Sequence, residues 1–224
     1  AQKMGFQKEK NLFLVHGVGV DLKKYKKNIP FPNNGIKKEL GLKEKDLIIS
    51  CVAEFIHRKN HIFLLKAWDK ITQNLNNVHL LLVGNGSCLE SLKQQAKINL
   101  LPRVYFLGYR KDVQQIIAKS DIITLVSKHE GLPRSIMEAM ALGKPVIVSN
   151  VRGNCDLVEQ GKNGFLVELG DIDGLVSSMK KLIINDKLRD DMGKASLEII
   201  KDYSLEKVLA EMSSIYDYYI KILN

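Results

Sequence analysis

An α/β chain built on a doubly wound parallel sheet is what this sequence predicts. Three observations carry the prediction. From residue 47 onward, short apolar runs rich in Val, Ile and Leu alternate with segments of helical spacing. The runs are apolar without polar alternation, as expected of strands covered on both faces by helices. The chain has 224 residues, 45% hydrophobic and 26% charged, which suits one folded α/β domain.

The elements follow in order. Residues 11–46 read as irregular. An apolar run at 12–15 is a candidate first strand, after which Gly17, Gly19, Pro30, Pro32, Asn33, Asn34 and Gly35 break the chain repeatedly. The β-branched run at 47–53 is the first core strand. Residues 60–75 have helical spacing, with Phe63, Leu64, Ala67, Trp68 and Ile71 on one side. Strands are then predicted at 78–83, 104–107, 121–126, 145–149 and 164–167. Helices are predicted at 87–98, 113–119, 133–142, 172–184, 187–200 and 205–223. The helix at 133–142 has Pro in its first turn and Gly143 just past its end, the usual start and stop. This alternation is Rossmann-like. In such sheets ligands bind outside the carboxyl ends of the strands, so the loops after Ala53, Val83, Leu107, Val126 and Ser149 are the candidate site.

Composition narrows the function classes. The net charge is +9, much of it from Lys23, Lys24, Lys26, Lys27, Lys37, Lys38, Lys43 and Lys45. No nucleic-acid motif or aromatic interleaving accompanies it. It reads as a solvated lysine-rich linker, or as a face for an anionic ligand or membrane surface. No apolar stretch approaches the ~20 residues that span a bilayer. The start carries no initiator Met and reads as a piece cut from something longer. Cys51, Cys88 and Cys155 are odd in number and form no C-x-x-C pair. They read as thiols in a reducing cytoplasm rather than as a zinc site or disulfide framework.

Several of the loops carry chemistry. After the first core strand, Arg58 and Lys59 lie close to a helix start, where cations and backbone amides together favour phosphate. After the second strand, Gly84-Asn85-Gly86 is G-x-G without a third glycine. It serves equally as a tight turn or as a backbone that a ligand can approach. The segment after the fourth strand is the most informative. It brings His129, Glu130, Gly131, Leu132, Pro133 and Arg134 to the strand's carboxyl end and puts Glu138 inside the following helix, one turn past Arg134. Two carboxylates eight positions apart can accept hydrogen bonds from two parts of one polyhydroxylated ligand. Alternatively, Glu130 caps a helix and Glu138 is salt-bridged. Asp171-Ile-Asp173 matches a metal-binding D-x-D only as a string. Asp171 follows Gly170 and opens a helix, so it reads as an N-cap. The five histidines show no metal-ligand spacing. His61 and His79 read as structural, and His129 stands beside Glu130 at the cleft.

These residues resemble a known family. Glu130-Gly-Leu-Pro through Glu138-Ala-Met-Ala-Leu-Gly-Lys-Pro-Val146 is similar to the E-x7-E signature of retaining GT-B glycosyltransferases of family 4. His16-Gly-Val-Gly-Val-Asp21 resembles that family's interdomain segment. Residues 80–86, 106–108, 152–154 and 161–167 resemble further family motifs, in order along the chain. The variant with Leu-Pro-Arg-Ser and Arg-Gly-Asn is similar to bacterial enzymes of exopolysaccharide, capsule or lipopolysaccharide assembly.

The resemblance implies one half of a GT-B fold. Residues 1–46 would be an interdomain segment, 47–204 the nucleotide-sugar-binding domain, and 205–224 a helix packing back on an acceptor domain not in this chain. It implies a UDP- or GDP-sugar donor, retention of anomeric configuration and no divalent metal. Glu130 would hold sugar hydroxyls and Glu138 the ribose hydroxyls. Lys59 would neutralise the departing diphosphate, and the amides of Gly131 and Leu132 would contact the diphosphate or sugar. Gly84, Asn85, Gly86, Gly108 and Tyr109 would frame the base and ribose. One departure stands out: the family often has Gly-Arg-Leu where this chain has Ala53-Glu54-Phe55, and Arg58 is expected to supply the missing charge. A location in the cytoplasm or at the inner membrane face follows, with the nucleotide-sugar donor and an anionic membrane as partners and no nucleic acid. The rival readings are a nucleotide-sugar epimerase of the same architecture, a nicotinamide-binding domain and a non-catalytic nucleotide-binding domain.

Overall fold

The computed structural model describes residues 13, 15–25, 35–73 and 75–223. Among them, six strands form one parallel sheet: β1 (Leu47–Val52), β2 (Val78–Val83), β3 (Val104–Gly108), β4 (Ile122–Leu125), β5 (Val146–Ser149) and β6 (Gly164–Val167). Their spatial order is β3-β2-β1-β4-β5-β6. The chain moves outward from β1 through β2 to β3, then returns to β4 on the other side of β1. The loops leaving β1 and β4 therefore diverge at the switch point, where an open α/β sheet forms its ligand crevice.

Packing explains why the runs are continuously apolar. All six residues of β2 are buried. Ile48, Leu81 and Val83 face one core, together with Ile116. Ile49, Cys51, Leu80 and Leu82 face the larger core on the other side of the sheet. Helix α2 (His61–Thr72) lies over that larger core and packs against α7 (Ile172–Ile183). Its Trp68 is fully buried, and the indole Nε1 donates to the Pro102 carbonyl at 2.9 Å. Truncating it to Ala would forfeit ~3–5 kcal/mol.

The remaining helices are α3 (Leu89–Ile98), α4 (Val113–Lys119), α5 (Arg134–Ala141), α8 (Asp186–Ile199) and α9 (Leu205–Leu223). Two single-turn helices complete the set, α1 (Ile36–Glu39) and α6 (Asn154–Leu157). Asp171 caps α7 by accepting from the Gly174 amide at 2.8 Å, while Asp173 points to solvent and pairs with Lys70 at 2.7 Å. The two carboxylates thus serve separate partners.

The reading of 11–46 as irregular needs correction. Residues Leu22–Tyr25 form a 3-10 turn, and α1 buries Ile36 against Ile48, Leu81, Val83 and Ile116. Val20 is buried in the larger core, and its amide and carbonyl bond to Tyr203 and Leu205. The segment thus contributes Val20 to the larger core and Ile36 to the smaller one. The proposed strand at 12–15 falls partly outside the described residues, as do Lys26, Lys27 and the prolines at 30 and 32. Pro133 also differs from expectation. Its extended backbone, ψ 113°, makes it the N-cap of α5 rather than a first-turn residue.

Candidate active site

The site is assembled where the β1 and β4 loops meet. After β1 the chain runs through the fully buried Phe55 into a 3-10 turn at His57–Lys59. Asn60 then adopts a left-handed conformation, φ 55°, and α2 begins. This turn aims Lys59 and Arg58 at the loop after β4. The Lys128 amide donates to the Arg58 carbonyl at 2.8 Å, tying the two loops together.

Glu130 is the centre of the arrangement. Its side chain is only 6% exposed. Lys59 Nζ donates to Glu130 Oε1 at 2.5 Å, and Arg58 Nη1 lies 3.4 Å from Oε2. Arg58 also reaches the His129 carbonyl at 3.3 Å. Lys59 is the principal partner, because 3.4 Å is beyond the usual span of a strong charge-assisted bond. Two cations share one desolvated carboxylate, which leaves positive charge in excess at the crevice.

The second carboxylate sits on α5. Glu138 accepts from Arg134 Nε at 3.1 Å, one helical turn away, and is largely covered while Arg134 is exposed. The Tyr25 phenol lies beside them. Its pKa is pushed up to about 12, by burial first and then by the Glu138 carboxylate. Sequence reading missed Tyr25, because only the path of the N-terminal segment over α5 brings it there.

The glycine turn after β2 has a physical reason of its own. Gly84 and Gly86 have φ of 147° and 152°. A Cβ on Gly84 would sit 2.1 Å from the Ala53 carbonyl oxygen, and one on Gly86 2.5 Å from that of Phe55. The glycines are needed so that the β1 and β2 loops can touch, whatever else approaches them. The Phe55 amide donates to the Asn85 carbonyl, and the Gly84 amide to that of Gly108. Three loops are thereby locked side by side. Beyond Gly108, φ 64°, Tyr109 is exposed at the end of β3.

A cleft of about 800 Å³ opens beside Glu130. Its walls are the segment 15–18, the Glu130-Gly131-Leu132 loop, Arg152 with Asp156, and Tyr203. Gly153 explains how the Arg152 loop comes so close. Its φ is 84°, and a Cβ there would lie 1.4 Å from the Gly131 carbonyl oxygen.

The histidines separate into distinct environments. His61 stacks on Phe55 with ring centroids 4.7 Å apart, and burial pushes its pKa down to about 4. His79 is buried, with Asp46 at 3.3 Å. His129 is exposed, and it is its carbonyl that holds Arg58. Among the described residues, no three His, Cys, Asp or Glu side chains are grouped to hold a metal ion. Burial raises the Cys51 thiol to about 12, which makes it unreactive. No described helix is long and apolar enough to cross a membrane.

Comparison with known proteins matches this architecture. The family described as glycosyl transferases group 1 matches residues 33–198. The UDP-Gal:alpha-D-GlcNAc-diphosphoundecaprenol alpha-1,3-galactosyltransferase of Escherichia coli is 34% identical over 205 residues, covering 88% of this chain and 52% of that enzyme. The N,N'-diacetylbacillosaminyl-diphospho-undecaprenol alpha-1,3-N-acetylgalactosaminyltransferase of Campylobacter jejuni is 27% identical, covering 96% of this chain and 56% of that enzyme. The structure of Anabaena HepE in complex with UDP-glucose superposes with a TM-score of 0.80 at 26% identity, over 89% of this chain and 56% of HepE. The chain spans about half the length of these relatives. With the family match running over most of the sequence, and a relative 34% identical across 88% of it, the chain belongs to the glycosyl transferases group 1 family.

Proposed function

We propose that this chain is the donor-binding half of a retaining GT-B glycosyltransferase. It would take a nucleoside diphosphate sugar and, joined to an acceptor domain, pass the sugar to a lipid-linked or glycan acceptor. The observation that carries the reading is the Lys59–Arg58–Glu130 cluster at the sheet's switch point. It sets two cations for a diphosphate against a carboxylate for sugar hydroxyls. In this reading Lys59, supported by Arg58, stabilises charge that builds up on the departing diphosphate. Glu130 and the amides of Gly131 and Leu132 orient the sugar. Glu138 accepts from the ribose hydroxyls, and the loops at Gly84–Gly86 and Gly108–Tyr109 border the base. No divalent metal takes part.

The relatives support the choice of substrates. One is named for UDP-galactose, and both named transferases act on diphosphoundecaprenol-linked sugars. A UDP-sugar donor, a lipid-diphosphate acceptor and work at the inner face of the cytoplasmic membrane are the corresponding assignments here. Exposed Leu209, Tyr216, Tyr219 and Ile220 on α9 suit the helix that packs back on the acceptor domain.

Calorimetric titration of the chain with UDP, GDP, ADP and NAD, in chelator, tests the reading. The expected result is selective binding of one nucleoside diphosphate, weakened about tenfold in Glu138→Gln by loss of one charged hydrogen-bond acceptor. Binding of NAD alone, or indifference to Glu138→Gln, would overturn it.

A further inference from the structure

Most charged side chains of the crevice are paired. Arg58 and Lys59 are held by Glu130, and Arg134 by Glu138. His16 is paired with Glu211 at 2.7 Å, and the Tyr203 hydroxyl is bonded to the Asp156 carbonyl. Arg152 is exposed on the cleft wall and has no acidic partner or hydrogen bond among the described residues. Asp156, one turn further on, lines the same wall without pairing to it.

The mounting of Arg152 is rigid. Gly153 is wedged against the Gly131 carbonyl in a conformation that disfavours any other residue. The buried Asn154 side chain donates to the Ser149 carbonyl at 2.9 Å and to its hydroxyl oxygen at 3.2 Å. The guanidinium is therefore carried on a fixed turn beside Glu130 and faces a concave space. A guanidinium without a partner among the described residues, carried on a fixed turn at a cleft, is suited to bidentate capture of a phosphate.

We infer that Arg152 is a binding residue for a phosphate carried by the acceptor. The inference rests on the donor-domain reading. Lys59 and Arg58, assigned to the donor diphosphate, do not line this cleft, whereas Glu130, Gly131 and Leu132, assigned to the donor sugar, do. A molecule filling the cleft would thus meet the sugar, as an acceptor must, and Arg152 would meet its anionic group. The phosphate of a sugar attached through phosphate or diphosphate fits this position.

The test uses glucose 1-phosphate as probe, with glucose as the neutral control, titrated into the chain in the presence of saturating UDP. The expected result is binding of glucose 1-phosphate on top of UDP, at least tenfold tighter than glucose. Arg152→Ala should abolish that preference, Arg152→Lys should keep part of it, and UDP affinity should stay within twofold in both. Competition between glucose 1-phosphate and UDP would place the phosphate in the donor site and overturn the inference. So would an unchanged preference in Arg152→Ala, or a tenfold loss of UDP affinity in that variant. If UDP itself fails to bind, the assignment of a UDP-sugar donor falls, and the glucose 1-phosphate titration without UDP still decides whether Arg152 holds phosphate.

Discussion

Replacing Lys59 with Met strands a carboxylate. Glu130 is 6% exposed and Lys59 14% exposed, so the pair is substantially desolvated. Removing one partner of a fully buried pair costs ~3–5 kcal/mol, because the remaining charge is uncompensated. Here Arg58 stays 3.4 Å from Glu130 and recovers part of that, leaving about 2–3 kcal/mol. For a chain of this size the loss corresponds to roughly 4–12 °C in melting temperature. The double variant Lys59→Met, Glu130→Gln removes the stranded charge. It should be more stable than Lys59→Met alone by about 1–2 kcal/mol. Urea unfolding of the four proteins in the cycle measures both quantities. If Lys59→Met melts with the parent, or if the two substitutions simply add, the pair is not the desolvated unit argued for and the reasoning fails.

Other consequences are equally concrete. Because Glu130 holds Lys59 in the free protein, Glu130→Gln should bind free UDP more tightly by ~1 kcal/mol, roughly fivefold, while losing affinity for the UDP-sugar; parallel titrations of the two ligands decide it. Gly153→Ala must place a Cβ 1.4 Å from the Gly131 carbonyl oxygen at φ 84°. It should cost more than about 3 kcal/mol in thermal or urea unfolding, by displacing the Glu130 loop. His61 gives the fold an acid weakness. Its pKa is near 4 in the folded chain against about 6.5 unfolded, so above pH 6.5 it is neutral in both states and costs nothing. Between pH 6.5 and 4 only the unfolded chain takes up the proton, and up to about 3 kcal/mol of stability is lost. His61→Phe, stacked on Phe55, should remove that part of the pH dependence when unfolding is compared at pH 4.5 and 7.

The sheet was readable because its strands are buried on both faces. The run at residues 78–83 is apolar but for His79, which is itself buried, and the strand found there ends where the run ends. The long helix at Leu205–Leu223 was equally plain from its spacing. The one-turn helices α1 and α6 were not, since four residues cannot display a helical period. Within the site, the rule that ligands gather at strand carboxyl ends drew attention to Lys59 and Glu130, and their 2.5 Å contact follows from β1 and β4 being neighbours. Tyr25 beside Glu138 and Arg152 beside Glu130 depend on chain passages that only the folded structure defines. Gly84 and Gly86 show the reverse case. Their position was found, but their cause is contact between two loops, which no local pattern encodes.

The most direct test is a crystal structure of the chain with the nucleoside diphosphate that titration selects. The account predicts diphosphate oxygens within hydrogen-bond distance of Lys59 Nζ, with the Lys59–Glu130 contact opened or shared. It predicts the ribose hydroxyls on Glu138. A nucleotide bound elsewhere on the sheet, or bound there with Lys59 still given wholly to Glu130, would contradict it.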